Sequence, residues 1–240
     1  MNINEIKNEQ VSYIDHFDID GIEYGRSLFN LEWITAVTES PKVIFDIGCY
    51  DCGDSIRFKR RFPNCEIYSF EASPQRHFKL RETARKYNLN LVPLAVSDKV
   101  GTTTFYNSLV DNQRIDAQGS FFKHADIYKA TNPRIIQESN GIAVQTTTVE
   151  AFCATSQITQ IDLLYVDVEG AELQVIKGLG TLKPKMVFVE TLDFSNASKE
   201  PMWQGEATNS HELEQYLFSL GYVLIKVLDA DRLYFHNTVI

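Results

Sequence analysis

Four cysteines are all that the 240 residues contain. Scattered as Cys49, Cys52, Cys65 and Cys153, they do not make a disulfide scaffold, and a reducing, cytoplasmic setting is the simplest expectation. No apolar run reaches the roughly 18 residues of a membrane span. The opening MNINEIKNEQ lacks the apolar stretch of a secretory signal. Positive charge is scarce as well: 23 Lys and Arg against 32 Asp and Glu leave a net charge of -9. Nucleic acid is bound through Lys and Arg that displace counterions from phosphate, so no nucleic-acid partner is expected. The cluster Arg57, Lys59, Arg60 and Arg61 reads as a solvated helix face. Internal repeats and low-complexity tracts are absent.

What is present suits a packed α/β domain. Hydrophobic residues make up 44% and aromatic residues 12%, enough for a sizeable core. Residues 1–40 read as a helical, partly polar extension, with residues 41–240 as the main domain. From there short β-rich runs alternate with helical patterns: Val43–Ile47, Glu66–Phe70, Leu91–Ala95, Ile161–Val166 and Lys185–Glu190. That alternation indicates a parallel sheet with crossover helices. The stretch AVSDKVGTTTFYN reads as a hairpin turning near Gly101, and residues 107–141 as a long irregular loop. The closing YVLIKVLDADRLYFHN reads as an antiparallel hairpin. A parallel sheet that ends in a reversed hairpin is the seven-stranded, Rossmann-like class I methyltransferase pattern rather than a nicotinamide-binding one.

The stretch VIFDIGCYDCGDS delivers the chain from a strand to a turn. Residues 48–53 lack the middle glycine of G-x-G-x-x-G. Asp46 and Asp51 stand where a pyrophosphate would lie, an unfavourable meeting of like charges. A donor bearing an ammonium and a sulfonium, S-adenosylmethionine, suits these acids better than NAD does. Glu71 ends the second run, where a carboxylate accepts ribose hydroxyls. Asp167 and Glu190 end later runs, so four acids gather at one rim of the sheet. Cys49 and Cys52 have the spacing of a redox pair or half a zinc site. No histidine follows at a finger-like spacing, so Cys49 is read as a small side chain beside the cofactor; Asp51, Asp167 and Glu190 are an alternative carboxylate set for Mg or Ca, but no metal ligands are assigned.

These residues together resemble a known family. The run Ile161-Asp162-Leu163-Leu164-Tyr165-Val166-Asp167-Val168-Glu169-Gly170-Ala171-Glu172 resembles the I-D-x-x-K-x-D-x-E-G-x-E signature of the FkbM methyltransferases. FDIGCYDCGDS resembles that family's first motif, FEASP its F-E-P-x-P, and VQTTTVEAF the segment leading into the signature. The resemblance covers about residues 41–237. Three positions depart from it: Cys52 replaces a glycine, Tyr165 the usual lysine, and Ala72 the usual proline.

The resemblance implies methyl transfer from S-adenosylmethionine to a hydroxyl of a sugar, glycan or glycosylated natural product. It implies cofactor contacts at Asp46, Gly48, Cys49, Glu71, Ala72, Val96, Ser97, Asp98 and Asp167, with Asp98 at the adenine edge. Asp167, Glu169 and His124 are the candidate catalytic residues, His124 from a loop folded over the acceptor. Acceptor specificity is expected in residues 107–141 and 192–210, and residues 1–40 are expected to cover the cofactor or form a homodimer contact. Two rivals stand beside this reading: an NAD-dependent oxidoreductase, and a methyltransferase-like module that binds without catalysing.

Overall fold

The computed structural model describes residues 1–12, 17–24, 27–111, 114–115, 117–191, 202–204 and 210–240. Its centre is a seven-stranded sheet of Val43–Ile47 (β1), Glu66–Phe70 (β2), Asn90–Val92 (β3), Leu163–Val166 (β4), Met186–Glu190 (β5), Tyr222–Leu228 (β6) and Asp231–His236 (β7). The strands stand in the order β3-β2-β1-β4-β5-β7-β6. β1 to β5 are parallel; β7 runs antiparallel between β5 and β6. This is the expected seven-stranded sheet, parallel with a terminal antiparallel hairpin. The order reverses between β1 and β4, the switch point where open α/β sheets place their ligands.

The apolar runs are continuous because both faces of the sheet are covered. Ile44, Leu163, Met186 and Phe188 belong to one buried cluster, and Phe45, Leu164, Val187 and Val189 to the other. The helices are α1 (Ile3–Asn8), α2 (Gly53–Arg61), α3 (Pro74–Tyr87), α4 (Asp126–Thr131), α5 (Val149–Ser156), α6 (Glu172–Lys177) and α7 (Ser210–Ser219). Pro74 opens α3 at the position where a missing N–H costs nothing, and Asn88 closes it in the left-handed conformation.

Three sequence expectations change. Residues 1–40 are only partly helical: α1 is followed by a hairpin, Phe17–Ile19 with Ile22–Tyr24, and by a 3-10 helix, Leu31–Ala36. The hairpin turns at Asp20-Gly21, both with positive φ. Ile6, Phe29 and Trp33 of this segment are fully buried in the same cluster as the β1 and β5 side chains. Lys226 of β6 fastens α1 by donating to the carbonyls of Ile6 and Glu9, each at 2.7 Å.

The second change is at residues 95–105, where no hairpin forms. Ala95–Val96 and Gly101–Phe105 both pair with Ile142–Thr147, which lies between them, parallel to the first and antiparallel to the second. The third is within residues 107–141, which hold a small antiparallel sheet of Ser108–Val110, Arg114–Ile115 and Ile135–Gln137, together with α4.

The basic cluster of α2 is spent internally. Arg57 pairs with Asp54 and donates to the Phe29 carbonyl at 2.9 Å. Arg60 pairs with Asp20, Arg61 with Glu32, and Lys59 donates to the Cys65 carbonyl. The contacts to Phe29, Asp20 and Glu32 tie α2 to the N-terminal segment.

Candidate functional site

Gly48 follows β1 with φ +88°, and a Cβ there would lie 1.7 Å from the Asp167 carbonyl oxygen. Only glycine lets the turn pass so close to the end of β4. The Gly48 and Cys49 N–H groups both donate to the Phe70 carbonyl, at 3.0 and 2.9 Å, which draws the β1 turn onto the end of β2. Cys52 stands in the left-handed region at φ +65° and begins α2. It thus takes the backbone conformation that a glycine would have supplied. The Cys49 and Cys52 sulfurs lie 3.6 Å apart as free, buried thiols.

Two adjoining clefts open around this turn. One, of about 570 Å³, is lined by Gly48, Glu71, Ala72, Val96, Phe121 and Asp167 among others. The second, of about 720 Å³, is lined by Asp46, Cys49, Asp51, Asp54, Tyr165 and Asp167 among others. Gly48, Tyr50, Asp167 and Glu169 border both clefts.

The acids differ in their surroundings. Glu71 is buried and accepts the Ser73 N–H at 2.7 Å; burial lifts its carboxyl to about 7, against the opposing pull of backbone N–H groups and Arg76. Arg76 itself lies over the Tyr50 ring, 3.8 Å from its centroid. Asp46 accepts from the Ser55 hydroxyl, which also bonds Ser69 at 2.6 Å, and burial pushes its carboxyl up to about 8. Asp167 is pushed well above the usual carboxylate range by burial and then by Glu190, and its Oδ1 is shielded from solvent without a hydrogen-bond partner. Glu172 turns its carboxylate back on the preceding loop, accepting the Gly170 N–H at 2.9 Å. It holds the turn in which Glu169 and Gly170 take positive φ, 57° and 101°. The Ser120 hydroxyl donates to the Glu169 carbonyl at 2.6 Å, a second brace on that turn.

The structure therefore brings Asp46, Gly48, Cys49, Glu71, Ala72, Val96, Asp167 and Glu169 to the cleft walls. Three expected residues stand elsewhere. His124 is fully buried, its ring 4.8 Å from that of Trp203 and 4.9 Å from that of Tyr128, and lines neither cleft. It packs behind the site, where Trp203 in turn lies against Gly170. Ser97 is buried with its N–H bonded to the Thr147 carbonyl at 2.9 Å, held in the strand pairing that replaced the expected hairpin. Asp98 accepts from the Ser97 hydroxyl at 3.2 Å and faces Lys99 at 3.9 Å, away from both clefts.

Sequence reasoning did not single out Tyr50, Arg76, Asp54 or Phe121, because their place depends on pairings distant in sequence. Tyr165, at the departure from the family lysine, stacks on Phe188 with ring centroids 5.1 Å apart and donates to Asp54 at 3.1 Å. Asp162 of the same signature is structural: its carboxylate accepts the N–H groups of Lys42 and Val43 and pairs with Lys185 at 2.7 Å. Within residues 192–210, residues 192–201 and 205–209 lie outside the described residues.

The Methyltransferase FkbM domain family matches residues 46–224. The 2-O-methyltransferase NoeI of Sinorhizobium fredii (strain NBRC 101917 / NGR234) is 28% identical over 180 residues, which cover 72% of this chain and 70% of NoeI. Among solved structures, methyltransferase FkbM from Methylobacillus flagellatus KT is 14% identical with a TM-score of 0.46, over 82% of this chain and 44% of that one. The SAH-bound methyltransferase PaMTH1 of Podospora anserina is 16% identical with a TM-score of 0.41, over 85% of this chain and 76% of that one.

Proposed function

The chain belongs to the FkbM methyltransferase domain family, and from that premise we propose that it transfers a methyl group from S-adenosylmethionine to a hydroxyl of a sugar or glycan. The observation that carries the reading is the close approach of Gly48 to Asp167, with buried Glu71 on the same cleft. The name of the relative NoeI, a 2-O-methyltransferase, supports a hydroxyl as the acceptor. The four free thiols suit a reducing compartment, which supports a cytoplasmic setting.

The residues fit the donor. The Gly48 turn lies so close against the Asp167 carbonyl that no Cβ fits between them, which sets both residues on the wall of the same cleft. The adjoining cleft is walled by Asp46, Asp51 and Asp54, which suit a positively charged ligand. When bound, S-adenosylmethionine supplies an electrophilic methyl group. Glu71 would hold the ribose hydroxyls, and Ala72, Val96 and Phe121, on the same cleft, would flank the base. Asp167 stands between the two clefts, where it orients the acceptor hydroxyl and takes its proton. Its raised pKa makes it a stronger base than an exposed aspartate, which a weakly acidic sugar hydroxyl requires.

A methyl-transfer assay tests the reading. Purified protein is incubated with S-adenosylmethionine carrying a labelled methyl group and a panel of mono- and oligosaccharides, beside amine and thiol acceptors. Label in a sugar methyl ether is the expected product. Label confined to nitrogen or sulfur acceptors contradicts the proposal.

A further inference from the structure

The sheet register ranks three acids side by side. Val166 of β4 pairs with Val189 of β5, so the next residues, Asp167 and Glu190, stand at one level. Glu190 pairs directly with Asp231 of β7. All three follow the alternation of Tyr165, Phe188 and Leu233, which lie in one cluster, while Val166 and Val189 lie in the other. The three carboxyl groups therefore share one face, on adjacent strands about 5 Å apart. Glu169 adds a fourth: carboxylate oxygens of Asp167, Glu169 and Glu190 all lie within 4.8 Å of one another.

Like charges directly opposite one another destabilise a sheet. Full ionisation of this rank is therefore disfavoured, and a proton between neighbours relieves the repulsion. Asp167 is the member at the cleft, with a shielded, unpartnered Oδ1. Glu190 stands one strand behind it.

We propose that Asp167 and Glu190 share one proton across β4 and β5, and that Glu190 is a positioning residue that raises the basicity of Asp167 toward the acceptor hydroxyl. The inference rests on the methyl-transfer reading for its catalytic half. In the step the pair begins ionised: the acceptor oxygen forms the new C–O bond, the electron pair of the broken C–S bond stays on sulfur, and the hydroxyl proton passes to Asp167 and becomes the one proton that it shares with Glu190.

The surroundings agree. Burial and then Asp231 push Glu190 up to about 7, against the lowering pull of its hydrogen bond with Asp167, and burial and the neighbouring acids push Asp231 up to about 8. Asp167 faces Glu190 from β5, Asp231 from β7, Asp54 from α2 and Glu172 from α6; Asp46 on β1 lies close by. Asp229 and Arg232 bear on the far end of the rank, the arginine opposing the rise of Asp231. Arg57 pairs with Asp54.

The test compares the full-length protein with Glu190→Gln. Carbon-13 NMR of labelled carboxyl groups reads titration without turnover. In wild type a carboxyl of the pair is expected to titrate above pH 7. In Glu190→Gln the Asp167 resonance is expected to titrate at least one unit lower, and the acid limb of kcat/KM to move with it. kcat falls about tenfold, while KM for the acceptor and affinity for S-adenosylhomocysteine hold. Asp231→Asn, a milder change, is expected to shift the same resonance less, in the same direction. Titration curves that superimpose on wild type overturn the shared proton, while leaving any measured methyl transfer standing. Loss of the high titration in wild type on adding millimolar Mg²⁺ or Ca²⁺ also overturns it, in favour of a shared cation. A shifted resonance with no hydroxyl acceptor turned over overturns the catalytic half and the functional reading together.

Discussion

Gly48 and Asp167 meet because one has no side chain and the other ends its strand. Gly48→Ala would force a methyl group into the Asp167 carbonyl, and φ +88° adds strain for any other residue. We expect binding of S-adenosylhomocysteine to weaken more than tenfold and the melting temperature to fall by several degrees, read by calorimetry and circular dichroism. Unchanged binding would remove this contact from the site. The acids at strand ends were legible in the sequence because each follows an apolar run without a break. His124 and Asp98 were not legible: Trp203, about 80 positions on, buries the first, and a strand drawn from residues 142–147 redirects the chain around the second. Glu172 was legible as a helix-terminal acid, but not the loop that it holds, since the positive φ of Glu169 is invisible in composition.

At the scale of elements, the parallel strands and the closing hairpin were readable because burial on both faces makes β1, β4 and β5 largely apolar, with acids only near their C-terminal ends. The N-terminal hairpin carried its own signal, Asp20-Gly21 between Phe17, Ile19, Ile22 and Tyr24, the usual mark of a tight antiparallel turn. The hairpin expected at residues 95–105 failed for a non-local reason: a later strand inserts between its two arms. Asp162 shows how a signature residue serves the fold. It joins the start of β1 to the segment before β4 through two N–H groups and a lysine. Asp162→Ala leaves two partly covered backbone donors and the partly exposed Lys185 without this partner, and we expect a loss of about 2 kcal/mol in stability. Urea unfolding checks this; a change within about 0.5 kcal/mol, as for ordinary surface positions, would contradict it.

Across the molecule, buried and half-buried carboxyl groups dominate the pH response among the described residues. Asp46 and Asp231 are raised to about 8, and Glu71, Glu172 and Glu190 to about 7, each chiefly by burial. A raised carboxyl binds its proton more tightly in the folded state, so its contribution to stability is complete at low pH and is lost as pH rises through the folded value. Stability is therefore expected to fall between about pH 5 and pH 9, with a melting temperature lower by roughly 5 °C or more at the upper end. A scan that is flat or rising over that window would contradict the burial of these groups. The central claim is narrower: the clefts around Gly48 take S-adenosylmethionine. Calorimetric titration with S-adenosylhomocysteine and, separately, NAD, on wild type and Glu71→Ala, tests it most directly. The account predicts micromolar binding of S-adenosylhomocysteine, weakened at least tenfold in the variant, and no heat from NAD. Binding of NAD, or silence from S-adenosylhomocysteine with wild-type protein, would contradict it.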